Sequence, residues 1–421
     1  MRSIERALSP RITHSWRAQA MPLLLLGAVC TGTIADLSIV IVSSPARTHP
    51  CTDMLWRALG STRMIGGLED APITIVLDGY RTPSDLDEGY AARIEQRLQR
   101  DPASLSKKGI VSADIGDAYE RYKLQLRADV LERGLSSCLT FDEPDGHVGF
   151  AMCVRRGLLK CGSRFALVLQ HDRCFIRQLR ELDFESVLAA FDDDTPGAPP
   201  LRYVGFPSST SKRLATRLAP KYKLGHLLKS RTVELRPGLC LRPTIFWYDS
   251  NHLVDVARAL QIYEPARHLP RWLQSHIGDE GVRRLTLRRG DFIEDRFGTE
   301  QRALLCGLAA EPERCRAAFD WCGSFILEEV VTSEQTAVAA DEPPEHEQSA
   351  QKKGGGVSAD GRTDSSADSS ADFMPADLSH FCSLLDSRGR ATMVAHIDAR
   401  GAVPRGWYRD LPSLRGEDLR K

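Results

Sequence analysis

Across 421 residues, 42% of them apolar, the chain carries ample material for a core and fits one large α/β domain with insertions as well as two domains. Lysine plus arginine and aspartate plus glutamate both number 56, so no global field recruits nucleic acid or an anionic membrane, and any phosphate has to be bound locally. The 11 cysteines form no CxxC repeat, which excludes a readable zinc module; their odd number leaves at least one thiol unpaired, and buried thiols with room for one disulfide are expected.

Residues 1–35 read as a possible targeting segment. Arg2, Arg6, Arg11 and Arg17 face only Glu5, and the short apolar run Met21–Cys30 follows. The pattern suits a signal peptide, or an organelle transit peptide by its Ser and Arg content. It places the protein in the secretory pathway or an organelle if cleaved, and in the cytoplasm otherwise. The run is shorter than the roughly 20 apolar residues a membrane span needs.

Leu37–Val42 is apolar, β-branched and closed by Ser43-Ser44-Pro45, the signature of a buried parallel strand. A short helix over Thr52–Leu59 and a second apolar strand over Pro72–Leu77, ending at Asp78-Gly79-Tyr80, complete a βαβ unit. Two charged helices, Asp85–Gln99 and Ile115–Arg133, are expected within a helical insertion at about 84–137. Tyr90, Ile94 and Leu98, then Tyr122, Leu126 and Val130, form their inner faces.

The stretch His147–Arg173 is the most informative part of the chain. Ala151, Val154, Leu158 and Leu159 recur at helical spacing, then Phe165–Leu169 forms a continuous strand run that stops at Gln170-His171-Asp172. Ligands of open α/β sheets sit outside the carboxyl ends of strands, so an Asp and a His placed there could meet a metal or a phosphate; otherwise they cap a next helix starting near Ile176, which carries Leu179, Leu182 and Val187. Strands are expected over Leu201–Phe206 and the aromatic Pro243–Tyr248, with Ser250 or Asn251 capping a helix over His252–Ile262. Two acids, Glu294 and Asp295, follow the apolar pair Phe292-Ile293. Residues 333–377 have the composition of a disordered linker, and 378–421 read as a helix and a strand, Ala391–Ile397, folding back on the 36–332 domain.

This order of signals over about residues 36–310 resembles the nucleotide-sugar glycosyltransferases of the Rossmann-like type A fold, most closely the inverting family 2. The resemblance implies an α/β fold with a single mostly parallel sheet flanked by helices. It implies transfer of a sugar from a nucleotide-diphosphate donor to a hydroxyl acceptor such as a glycan, with inversion. Asp78 matches the family's donor-holding aspartate, with Ser43, Pro45 and Arg155 on the donor side. Gly149-Phe150-Ala151 and Arg155-Arg156-Gly157-Leu158 are similar to the family's small-residue helix, Gln170-His171-Asp172 to its Asp-x-Asp motif, and Glu294-Asp295 to its base motif. Asp172 with His171 would then ligate Mg²⁺ or Mn²⁺, although Gln170 stands where the family carries its first aspartate.

The chemistry behind each position is concrete. A departing diphosphate needs a cation or basic side chains, and the forked guanidinium groups of Arg288 and Arg289 suit phosphate. Inverting transfer needs one base, for which Asp295 is the choice with Glu294 beside it, since adjacent, partly buried acids raise one another's pKa. Asp249, Asn251, His252 and Trp247 would line the acceptor side. Local alternatives are a turn role for Asp78 and ion pairs of Glu294 and Asp295 with Arg288, Arg289 or Arg296. At the level of the whole protein they are a catalytically silent nucleotide-sugar or glycan-binding protein, or a metal-dependent phosphohydrolase using the His171-Asp172 pair with His147 and His252 as its helpers. No GxSxG, HExxH, Walker A or GxGxxG motif is present.

Overall fold

The computed structural model describes residues 34–101, 108–193, 195–208, 211, 218–329 and 393–396. Residues 1–33 of the expected targeting segment, the expected 333–377 linker and the helix beyond it lie outside the described residues. The fold is α/β, built on a nine-stranded sheet in the order β3-β2-β1-β4-β9-β6-β10-β8-β7. Its strands are β1 Leu37–Ser43, β2 Ile73–Leu77, β3 Leu139–Asp142, β4 Phe165–Gln170, β6 Tyr203–Gly205, β7 Val233–Arg236, β8 Leu239–Pro243, β9 His252–Asp255 and β10 Ser324–Glu329. β3, β2, β1 and β4 are mutually parallel, and β6 is parallel to β10; β9 opposes β4 and β6, and β8 opposes β10 and β7.

The continuous apolar runs take the central, doubly covered places. All residues of β1 and β2 are buried, as are the first five of β4, because helices and loops cover both faces of a parallel sheet. Helix α1 spans Asp53–Gly60, and α2 (Glu88–Arg100) and α3 (Ala113–Glu132) intervene between β2 and β3. Helix α4, Phe150–Lys160, lies across β1 and β2, and α5 covers Glu181–Ala190. Three residues assigned to inner faces are instead exposed: Tyr90 at 39%, Leu159 at 59% and Leu182 at 72%. In each case its partners at helical spacing already fill the buried stripe.

Four expectations are corrected by the backbone. Pro243–Tyr248 is not a strand: β8 stops at Pro243, and the carbonyls of Thr244 and Tyr248 accept side-chain hydrogen bonds from Gln301 and Tyr203 instead of joining a ladder. His252–Asp255 is a strand, not a helix start, because its fully buried run fits between β4 and β6. Asp255, not Ser250 or Asn251, caps the following helix by accepting the Arg258 N–H. His171 and Asp172 cap no helix; they form a turn into β5, Arg173–Phe175, and α5 begins only at Glu181. β5 pairs antiparallel with β11, Val394–His396, so the chain near residue 394 returns to this edge.

Gly157 marks the tightest helix–sheet contact. A Cβ there would stand 2.3 Å from Val40 Cγ1 and 3.3 Å from Val76 Cγ2. Glycine in a helix interior ordinarily costs about 1 kcal/mol relative to alanine, but overpacking costs about 1–3 kcal/mol. Gly157→Ala is therefore expected to lower stability, read as a reduced urea midpoint; a raised midpoint would sink this account of α4 packing.

Candidate functional site

The carboxyl edge of the parallel strands gathers Ser43, Asp78 and Gln170, and the reversed β9 brings Asp249, Ser250 and Asn251 to the same edge. This is where α/β sheets present ligand-binding groups.

On the donor side, the buried Ser43 bonds through Oγ to the Tyr122 hydroxyl at 3.1 Å, while its carbonyl accepts from Tyr119 Oη at 3.1 Å and from the Asp78 N–H at 2.8 Å. Pro45 is partly buried in the loop beyond. His49, to which the sequence assigned no role, stacks on Tyr122 with ring centroids 4.0 Å apart, and its Nδ1 accepts the Ala46 N–H. Burial, aided by His171, holds its pKa down to about 3, so the imidazole is neutral.

Asp78 is buried and committed to the protein itself. Oδ1 accepts the Val148 N–H at 2.8 Å, Oδ2 accepts the Gly149 N–H at 3.1 Å, and His147 Nδ1 lies 2.9 Å from Oδ2. These are the donors at the start of α4, where a carboxylate also meets the positive end of the helix dipole. Cys153 packs against the same carboxylate, and its thiol is pushed well up, first by burial and then by Asp78. Arg289 closes the neighbouring loop by donating to the carbonyls of His147 at 2.6 Å and Asp145 at 2.8 Å. The exposed Arg288 offers its backbone N–H to Asp291, and Arg155 Nη2 sits 3.3 Å from Glu264 Oε1. The six expected donor-side residues therefore divide: Ser43, Pro45 and Asp78 share one corner, Arg288 and Arg289 sit on the loop packed against α4, and Arg155 lies farther along the helix.

At the end of β4, the expected metal ligands do not assemble. His171 is buried with Nδ1 3.2 Å from the Val42 carbonyl, and Asp172 is partly buried in the turn. Among the described residues no group of three or more His, Cys, Asp or Glu side chains could hold a metal ion. A divalent cation beside a diphosphate takes one or two carboxylates, whereas here the first position is the neutral Gln170, its Oε1 engaged by Arg173 Nε at 2.9 Å, and Asp172 already has a partner. The residues present do not fit a protein-held divalent cation.

On the other side, the structure brings Glu294, Asp295 and Asp249 together. Glu294 and Asp295 open a π-helical turn, Glu294–Gly298, that runs into the helix Thr299–Gly307, and the Glu294 N–H donates to Asp249 Oδ1 at 3.2 Å. Such π-turns often occur at functional sites. Burial pushes the Asp249 carboxyl well above the usual carboxylate range, and Glu294 adds to the shift, while the Glu294 N–H and Arg173 oppose it. Glu294 and Asp295 both push the Asp249 carboxyl upward. Tyr263 faces this carboxyl with a buried hydroxyl that has no hydrogen-bond partner among the described residues, and its pKa is raised first by burial and then by Asp249.

Three residues expected on the acceptor side are core instead. Trp247 is buried against Phe297, Tyr203 and His252. His252 lies inside the sheet with Nδ1 2.6 Å from the Ser250 carbonyl, and burial lowers its pKa to about 4. Asn251 is fully buried with Nδ2 donating to the Arg173 carbonyl at 3.3 Å. None offers surface to a ligand, which also removes His252 as a phosphohydrolase helper; His147 is tied to Asp78. Gln301, close after the acids, is structural, donating to the Thr244 carbonyl and Ser324 Oγ. Among the described residues every cysteine is a free thiol.

Neither family models nor curated protein sequences match the chain. Solved structures that resemble it include nucleotide-sugar glycosyltransferases. TarS residues 1–349 of S. aureus with UDP-GlcNAc has 8% identity, 41% of this chain and 34% of that one covered, and a TM-score of 0.21. The mannosyltransferase PcManGT of Pyrobaculum calidifontis with GDP-Man and Mn²⁺ has 8% identity, coverage of 72% and 78%, and a TM-score of 0.28. Mouse xyloside xylosyltransferase 1 has 11% identity, coverage of 73% and 91%, and a TM-score of 0.27. The chain spans about a third of the length of the first of these, and likenesses of this extent assign no chemistry.

Because Asp249 keeps its proton in the folded protein after the unfolded chain has released it near pH 4, folding binds protons, and stability falls as pH rises from about 4 towards the elevated folded value. Asp249→Asn, which retains an acceptor for Glu294 N–H, is expected to raise the unfolding midpoint at pH 8 relative to the parent. That gain should shrink towards pH 4. A gain independent of pH would contradict a protonated Asp249.

Proposed function

We propose that the protein transfers a sugar from a nucleotide-diphosphate donor to a hydroxyl acceptor, with inversion, at the carboxyl edge of the sheet. The observation that carries this reading is the meeting of the Asp249 loop and the Glu294-Asp295 turn beside Arg173. In this reading Asp295, exposed at the rim, takes the acceptor hydroxyl proton, and Glu294 lies behind it. Asp249, its carboxyl pushed well above the usual range by burial, adds less charge to repel a diphosphate than an ordinary carboxylate would. The nucleoside would lie towards Ser43, Pro45 and Asp78, in the corner between β1 and β2. Attack on the anomeric carbon from the face opposite the leaving diphosphate breaks the donor's C–O bond as the acceptor oxygen bonds and surrenders its proton to the carboxylate.

A binding protein of the same fold without turnover is the second reading. It is favoured by Gln170, a neutral residue in the place where the resemblance expects the first acid of the metal motif and one already engaged by Arg173.

Nucleoside-diphosphate release from a panel of UDP- and GDP-sugars separates the two. Asp295→Asn is expected to reduce turnover by about 10²- to 10⁴-fold with donor affinity kept. Glu294→Gln should have the smaller effect. Donor binding by the parent protein without release would establish the second reading, and equal turnover in Asp295→Asn would remove Asp295 as the base.

A further inference from the structure

We propose that Arg173, together with Gln170 and Ser250, forms an anion cradle that receives the donor diphosphate without a divalent cation. This inference rests on the nucleotide-sugar reading above.

Arg173 begins β5, immediately after the turn at the carboxyl end of β4, and is partly buried. Its Nε donates to Gln170 Oε1 at 2.9 Å and its Nη1 to Ser250 Oγ at 3.4 Å. Both acceptors are neutral, and among the described residues no carboxylate forms an ion pair with it. The contrast with other arginines is direct: Arg156 is paired to Asp142, Arg231 to Asp320 and Arg236 to Asp183. A guanidinium drawn partly out of water and oriented by neutral groups keeps its full charge for something else. Its five N–H donors exceed the two engaged here, and its planar fork matches phosphate oxygens.

The two partners complete the cradle. Ser250 is buried and serves to orient Nη1, whereas the partly exposed Gln170, accepting through Oε1, retains its amide hydrogens for a ligand. All remaining capacity at this point is donor capacity. The backbone is fixed as well, since Asn251 Nδ2 donates to the Arg173 carbonyl and β5 pairs with β11. The Asp249 carboxyl on the 249–251 loop is pushed well above the usual carboxylate range by burial and by Glu294, which weakens it as a counter-ion to Arg173.

The identity of residue 170 follows. A carboxylate there would pair with Arg173 through charge-assisted hydrogen bonds and cancel the charge, whereas the amide positions the guanidinium without neutralising it. The residues that fail to form a metal site thus meet the requirement a metal would meet, a fixed positive charge at the strand end.

The test is calorimetric titration of the full chain with UDP and GDP, each in excess EDTA and in Mn²⁺, with circular dichroism to establish folding. One of these nucleotides is expected to bind in EDTA, and Arg173→Gln should weaken that binding about tenfold or more. Gln170→Glu, nearly isosteric, should weaken it comparably by neutralising Arg173, and it decides the matter if Arg173→Gln does not fold. Binding in EDTA that neither substitution alters overturns the cradle. Binding that requires Mn²⁺ and ignores both substitutions also overturns it while leaving nucleotide-sugar recognition intact. Absence of binding by either nucleotide in both conditions overturns that recognition and the cradle together.

Discussion

The carboxylate of Asp78 fixes the geometry on which the rest of the edge depends. It ends β2, yet its oxygens accept from Val148, Gly149 and His147, so one side chain ties a central strand to the first turn of α4. Charge-assisted bonds of this kind contribute about 1.5–3 kcal/mol each. The backbone closes in around them: a Cβ on Gly79 would stand 2.2 Å from the Gly146 carbonyl carbon, and Gly149, with φ at +83°, has Gly290 Cα 2.7 Å from the place of a Cβ. Three loops separated widely in sequence are thereby locked together, and the 288–291 loop leads directly into the turn that carries Glu294 and Asp295.

Much of this architecture was legible. The apolar runs 37–42, 73–77 and 165–169 could be read because continuous burial in a parallel sheet leaves a continuous sequence signature. β3 was missed, since Leu139–Asp142 is a short edge strand in which Thr140 is exposed. The aromatic segment 243–248 misled for a physical reason: burial and aromatic content were read correctly, but its backbone groups are satisfied by Gln301 and Tyr203 from distant parts of the chain. At the site, the acids at 294–295 stood out, whereas their meeting with Asp249 depends on long-range contacts. Arg173 closes the most informative stretch of the sequence, but nothing local distinguishes an arginine without a carboxylate partner among the described residues from one that has it.

Charge at this edge is separated, not scattered. Acids concentrate at 249, 294 and 295, the guanidinium of Arg173 stands beside them, and the adjoining corner holds the neutral ring of His49 with Tyr119 and Tyr122. Low polarity around such groups strengthens every interaction made there. A balanced total charge therefore conceals a polarised site, and composition alone carries no trace of it.

The pairing of β5 with β11 has a consequence for control of this edge. Three residues on each side form that ribbon, too few to associate as separate molecules, and they meet because both belong to one chain. Covalent attachment makes the pairing intramolecular, so it needs little intrinsic affinity. A connection of that kind is weak in energy yet specific in place, and its near strand starts at Arg173. Because His396 is the residue paired with Arg173, a substitution that breaks this ribbon would be felt first at that guanidinium.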